Sequence, residues 1–182
     1  MLVDAEIQVT AQARNGTYPG ARSDQIRTLF LTARPKLVAL ASSLTQNPEG
    51  AADVVQDAFV RALNASSFPV APDEQLFYMI RVVINVARNR ARREAVAGRA
   101  FPWLHRPVRF DEHLGEGHDE TGRLLDSIAH LSIRQREAIY LRYWLDLSIV
   151  DTAAAMGVSK GAVKTHTARA MSQLKSAIGD PR

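Results

Sequence analysis

Apolar residues recur at three- and four-residue spacing along most of the chain, the period that gathers side chains on one side of an α-helix. The first such stretch begins at about Ser23, where Ile26, Leu29, Phe30, Ala33, Leu37, Leu40, Ala41 and Leu44 form a broad stripe. Pro35 falls inside it without the amide proton a helix uses, which predicts a kink or a break near Arg34. Asn47 and Pro48 then mark a fresh start, a capping side chain followed by a first-turn proline. The second helix, about Pro48 to Ala65, buries Ala52, Val55, Phe59 and Ala62 or Leu63, and lines another face with Asp53, Gln56, Asp57 and Arg61. NASSFPVAP, from Asn64 to Pro72, is a loop by composition. A third helix capped by Asp73 turns Leu76, Phe77, Ile80, Val83, Ile84 and Ala87 inward. The same helix carries Arg81, Arg88, Arg90, Arg92 and Arg93 with Asn85 and Asn89.

Periodicity stops from about Ala95 to Gly122, where glycines, prolines and acids predict a linker. Its Phe101, Trp103, Leu104 and Phe110 are too apolar for a free tether and predict docking onto a domain of this chain or onto a partner. Helical spacing returns between Leu131 and Ile178. Ser132 with Gln135 has capping-box spacing, and Ser148 with Asp151 repeats it with a shorter acid. Asp146 ends the first of these helices; Gly157 can take the left-handed conformation that stops the next, and Ser159 can cap the last. In that last helix Val163, Thr167, Ala170, Leu174 and Ile178 face inward, leaving Lys164, Thr165, Ala168, Arg169, Ser172 and Lys175 outside. A tight corner followed by a helix with a basic, small-residue outer face is a helix-turn-helix, whose last helix fits the DNA major groove.

The expected fold is therefore all-α: two small helical domains joined by a flexible linker, the C-terminal one a helix-turn-helix. The expected divisions are an arm over 1–22, a helical domain over 23–95, the linker over 96–121 and the second domain over 122–182.

Composition narrows the chemistry. The 182 residues are 46% hydrophobic, enough for packed cores, and 23 Lys and Arg against 19 Asp and Glu leave a net charge of +4, suited to a polyanion. The absence of Cys removes disulfides, thiol catalysis and cysteine zinc sites. No secretory signal or span-length apolar run is visible, so a cytoplasmic protein away from the membrane is expected. The acids at 53 and 57 lack a partner histidine, a nucleophile or a glycine-rich phosphate loop, and read as a protein-docking face. His113 and His118 beside acids form a loose pair in the linker, more simply solvated than metal-binding. No enzyme activity, cofactor or metal is expected. The basic flank of the third helix suits a single strand instead, since cations hold the backbone. Phe68, Phe77 or Tyr78 could stack exposed bases or pack in the core, with core packing favoured for Phe77 and Phe68, in the loop, open to either.

The order of these parts resembles the extracytoplasmic-function (ECF) bacterial sigma factors, which keep only region two and region four. DVVQDAFVRA, Asp53 to Ala62, resembles the family's acidic D-V-V-Q-E-x-F helix, and RVVINVARNRARR, Arg81 to Arg93, its promoter helix. LSIRQREAIYLRYWLDLS resembles the opening L-P-x-x-x-R helix of region four, and GVSKGAVKTHTARA its turn and recognition helix. The resemblance covers roughly 23–95 and 121–178. It implies a non-enzymatic subunit that binds core RNA polymerase and directs promoter recognition and melting. Asp53, Gln56 and Asp57 would meet the polymerase. Asn64, Ser66, Ser67 and Phe68, with Asn85, Arg88, Asn89, Arg92 and Arg93, would open the minus-ten element and hold one strand. Ser159, Lys160, Lys164, Thr165, Ala168 and Arg169 would face the minus-thirty-five element, with Arg142 on a phosphate. The resemblance also brings an anti-sigma protein as a further expected partner. Ile149, Val150, Ala162, His166 and Tyr78 depart from the family's commoner residues, so promoter sequence does not transfer. The alternative is a LuxR-type helix-turn-helix regulator, which shares the V-K-T-H pattern at Val163 to His166 but leaves the acidic and arginine helices unexplained.

Overall fold

The computed structural model describes residues 19–45, 47–96, 124 and 126–178, and every regular element among them is helical. α1 spans Pro19–Thr45, α2 Pro48–Asn64 and α3 Pro72–Val96. Residues 126–130 are helical, followed by α4 (Ile133–Ile139), a π-helical turn (Tyr140–Trp144), α5 (Ile149–Met156) and α6 (Lys160–Ile178). The arm over 1–18, most of the linker with Phe101, Trp103, Leu104, Phe110, His113 and His118, and residues 179–182 lie outside the described residues.

The first three helices pack on one another in every pairing. All of the apolar stripe of α1 is buried except Phe30, which is partly open and meets Phe59 edge-on with ring centroids 5.0 Å apart. Two details differ from the sequence expectation. α1 starts at Pro19, four residues earlier, and it runs through Pro35 without a break. Pro35 and Leu31, whose carbonyl it leaves without an amide partner, are both exposed, so water can take the missing hydrogen bond. Asn47 caps α2 as expected, its side-chain oxygen accepting from the Glu49 amide at 3.1 Å.

In the second half, α4 and α5 both pack on α6. Ser132 and Gln135 form the full capping box, the Ser132 amide donating to Gln135 Oε1 at 2.8 Å. Ser148 Oγ accepts from the Asp151 amide at 3.0 Å and starts α5; Gly157, at φ 64°, ends it. Ser159 Oγ accepts from the Ala162 amide at 3.1 Å, opening α6. The unexpected element is the π turn, closed by the Leu145 amide on the Tyr140 carbonyl at 3.1 Å and followed by Asp146 at φ 50°. Asp tolerates that left-handed conformation better than most residues.

The two halves touch. α1 packs against α4 and α3 against α5, and one continuous apolar cluster runs from Ile26 through Ala87 to Leu141, Met156 and Val163. A smaller cluster, Leu131, Ala170 and Leu174, closes the far side of the second half. Buried Arg136 reaches across, donating to the carbonyls of Ala129 at 3.1 Å, Leu131 at 2.5 Å and Leu44 at 3.3 Å, the last in the final turn of α1. Burial pushes this guanidinium down to about 10, partly opposed by the Glu137 charge, and it stays cationic at neutral pH.

Nothing lies within 4 Å of a Cβ added at Gly157, so its replacement tests backbone conformation alone. Gly157→Ala is expected to lower stability by roughly 1–2 kcal/mol, with Gly157→Asn recovering part of the loss. Urea unfolding of the three proteins checks this; an unchanged midpoint for the alanine variant refutes it.

Candidate nucleic-acid interface

α6 presents the outer face that its sequence period requires. Val163, Ala170 and Leu174 are buried, while Lys160, Lys164, Thr165, Ala168 and Arg169 are exposed. Thr165 is exposed, and its Oγ1 donates to the Gly161 carbonyl at 3.0 Å, which restricts its rotamer. Ser159 is exposed and is already engaged as the helix cap. Arg142 is half-buried on the π turn, its guanidinium donating to the Leu147 carbonyl just before α5 begins. Three long cations, a hydroxyl and a small residue on the exposed side of the helix are side chains that can grip phosphates and reach base edges.

The second surface lies on α3 and the loop before it. Asn85, Asn89, Arg92 and Arg93 are exposed at helical spacing, with the Arg93 guanidinium donating to the Asn89 carbonyl at 3.3 Å. In the loop, Asn64, Ser66 and Ser67 are exposed, and the Asn64 amide donates back to the Val60 carbonyl at 2.9 Å. Phe68 is half-buried, edge-on to Tyr78 with centroids 5.4 Å apart and beneath the Arg22 guanidinium at 5.9 Å. Beside it opens a cavity of about 390 Å³ lined by Pro69, Asp73, Glu74, Phe77, Tyr78 and Arg81. Phe77 packs on the core as expected and also forms part of this wall.

Arg88 is placed differently from its neighbours. Its side chain is 16% exposed and forms a two-pronged ion pair with Glu137, Nε to Oε1 at 2.5 Å and the second prong from Nη2 to Oε2. Nη2 also donates to the Met156 carbonyl at 3.0 Å. Arg90 points to the opposite flank and bonds Glu94 at 3.0 Å and Asp53 at 3.3 Å. Burial works against its charge, but these acids outweigh it and hold the guanidinium above its ordinary value. Asp53, Gln56 and Asp57 are all exposed on α2, so the acidic face is accessible although Asp53 shares its charge with Arg90.

Three contributors were not assigned a role from the sequence. Arg22, placed in the arm, donates to the carbonyls of Ala62 at 2.6 Å and Ala65 at 2.7 Å, and so fixes where α2 stops and the loop begins. No local pattern marks such a residue. Arg136 occupies the arginine position of the L-P-x-x-x-R resemblance, but one of its three carbonyl partners, Leu44, is 92 residues away. Glu137 reads as an ordinary helix acid and is instead fully buried.

Comparison with known proteins finds two family models along the chain. The family model described as Sigma-70 region 2 matches residues 29–96, and that described as Sigma-70, region 4 matches 121–174. The RNA polymerase sigma-E factor of Streptomyces coelicolor is 31% identical over 152 residues, covering 81% of this chain and 82% of the relative. The ECF RNA polymerase sigma factor EcfG of Rhodopseudomonas palustris is 31% identical over 161 residues, 86% of each protein. A co-crystal structure of the sigma factor RpoE with the anti-sigma factor NepR from Bartonella quintana shares the fold, with a TM-score of 0.58 at 23% identity over 86% of this chain and 98% of that one. The region 2 match takes in both the acidic helix and the arginine helix, which disfavours a LuxR-type regulator. With two sigma region models matched in order, and a relative named as an ECF sigma factor 31% identical over 86% of each protein, the chain belongs to the ECF sigma factor family.

Proposed function

We propose that this chain is a promoter-selecting subunit of RNA polymerase: it binds the core enzyme in the cytoplasm, reads duplex DNA with α6 and captures a melted strand with α3 and the loop before it. The observation that carries the reading is the pairing, on one family member, of an exposed major-groove helix with a second basic surface beside an aromatic-walled cavity. These surfaces suit different substrates. Reading an intact duplex requires a helix that fits the major groove, which α6 supplies. Holding a melted strand requires a place for an extruded base, which costs a few kcal/mol of stacking unless a pocket replaces it. The cavity walls offer Phe77 and Tyr78 for stacking, and Arg81 with Asn85, Asn89, Arg92 and Arg93 offers a path for the backbone. The polar residues Asp53, Gln56 and Asp57 lie on α2, clear of α6, and would meet the polymerase. The chain itself carries out no bond chemistry in this reading; the polymerase does. An anti-sigma protein covering these surfaces is the natural further partner.

Run-off transcription with core polymerase and a pool of genomic promoters tests the whole reading. Promoter-dependent transcripts are expected; DNA binding without any transcript at any promoter overturns it. Arg169→Ala is expected to weaken holoenzyme binding to duplex promoter by about 5- to 150-fold, the equivalent of roughly 1–3 kcal/mol, with core binding unchanged. Gel-shift titration and core pull-down read the two separately, and parallel loss of both refutes the assignment. Charge reversal at Asp53 and Asp57 is expected to reduce core affinity by at least about tenfold, while Asp57→Lys alone, which spares the Arg90 pair, gives part of that loss. Unchanged affinity in a competition assay removes α2 from the interface.

A further inference from the structure

We propose that the cavity beside Phe68 selects its occupant: it takes an extruded base that carries an exocyclic amine, in preference to thymine, with Asp73 and Glu74 accepting from the amine. The inference rests on the proposed capture of a melted strand by α3 and names which bases that capture favours. Three observations carry it. The cavity has flat apolar walls, Pro69 from the loop and Phe77 and Tyr78 from the helix, while its charged lining residues Asp73, Glu74 and Arg81 are all exposed and stand at its mouth. Among the described residues, none of these three side chains is committed to a hydrogen bond or an ion pair. The loop wall is held in place: Gln75, 6% exposed, donates through Nε2 to the Pro69 carbonyl at 3.1 Å and the Val70 carbonyl at 3.0 Å. With Tyr78 also braced edge-on by Phe68, the cavity is formed before a ligand arrives and needs little ordering to bind one.

Charge and hydrogen-bond chemistry decide what fits. Two carboxylates against one guanidinium leave the lining net negative, which turns a phosphate away and leaves the walls to a base. A carboxylate accepts hydrogen bonds and donates none. Cytosine, adenine and guanine each present an amine once pairing is broken, and Asp or Glu accepting from cytosine N4 is a recurrent pairing. Thymine puts a carbonyl where cytosine has its amine. Set against Asp73 or Glu74, that oxygen leaves two acceptors facing each other with neither satisfied. Arg81 can donate to the ring nitrogen or carbonyl beside the amine, which completes the match for cytosine. The backbone has its own path outside the cavity, because Arg81, Asn85, Asn89 and Arg92 are exposed at three- and four-residue spacing along α3. Aromatic walls alone stack every base; the carboxylates supply the difference between bases.

Single-strand binding by the full-length chain assembled with core polymerase tests the selection, with core alone as the blank. The probes are oligo-dC and oligo-dU, each long enough to fill a site of roughly 4–16 nucleotides. They share sugar, phosphate and ring size and differ only on the pairing edge, where a carbonyl replaces the cytosine amine and N3 gains a proton. Competition titration is expected to find oligo-dC bound about tenfold more tightly, the effect of one hydrogen bond to a charged acceptor. The double variant Asp73→Asn with Glu74→Gln keeps the side-chain shapes, adds donors that a carbonyl can accept, and is expected to bring the two affinities together. The ratio is the readout, because removing two negative charges strengthens the binding of both strands. Both positions are exposed, so the substitutions leave the packed core untouched. Equal affinity of the parent chain for oligo-dC and oligo-dU overturns base selection and leaves strand capture standing. A preference for oligo-dC that survives in the double variant overturns the assignment to these carboxylates. No binding beyond that of core alone overturns strand capture by α3, and base selection with it.

Discussion

The last carbonyls of a helix have no amide partner within the helix, and in this chain distant arginines supply the missing donors. α1 and α5 carry no basic residue in their own final turns. Arg136 closes α1 at Leu44; Arg88 and Arg134 both close α5 at Met156. Arg22 closes α2 at Ala62 and Ala65. A guanidinium suits the task because its rigid fork of donors can meet two or three carbonyls, and its charge opposes the negative end of the helix dipole. The arginines therefore differ in what they do: some tie helix ends together, Arg90 pairs with Asp53 and Glu94, and others, Arg92, Arg93 and Arg169 among them, are exposed.

Two of these ties cross between the halves, and they differ in kind. Arg136 is buried and reaches only neutral carbonyls across the seam, whereas Arg88 meets a carboxylate with no exposed surface. Charged groups at such a seam contribute little net stability, since desolvation offsets most of their attraction. Their effect is on specificity: a two-pronged guanidinium–carboxylate pair has one acceptable geometry, while apolar contacts alone would tolerate several. The apolar cluster supplies cohesion and the pair sets the register.

Local signals were the legible ones. Asn47, Ser132 with Gln135, Ser148, Gly157 and Ser159 act within a few residues of themselves, and each does in the structure what its type and spacing imply. The inward faces were equally readable, because a helical period is a property of consecutive residues. The continuous path of α1 through Pro35 depends on which side of the helix meets water, which the third dimension decides. The π turn leaves no simple sequence mark. Least legible were Arg22, Arg88, Arg136 and Glu137, each of which has at least one partner 40 or more residues away. In the site, the exposed face of α6 was read in full, whereas the separation of Arg88 from its neighbours on α3 was not.

That separation bears on how two modest DNA-binding surfaces avoid the wrong DNA. A chain of net charge +4 with exposed arginines has a sequence-independent attraction to any duplex, and genomic DNA offers it in vast excess. Two modules joined by a tether gain avidity only when both sites lie at the distance the scaffold sets. The packing of α4 and α5 against the first half engages one guanidinium, that of Arg88, with Glu137 and the Met156 carbonyl, and so withdraws it from that background. On the proposed function, core polymerase supplies the spacing that makes both modules useful, and selectivity for promoters rests on that spacing rather than on either surface alone.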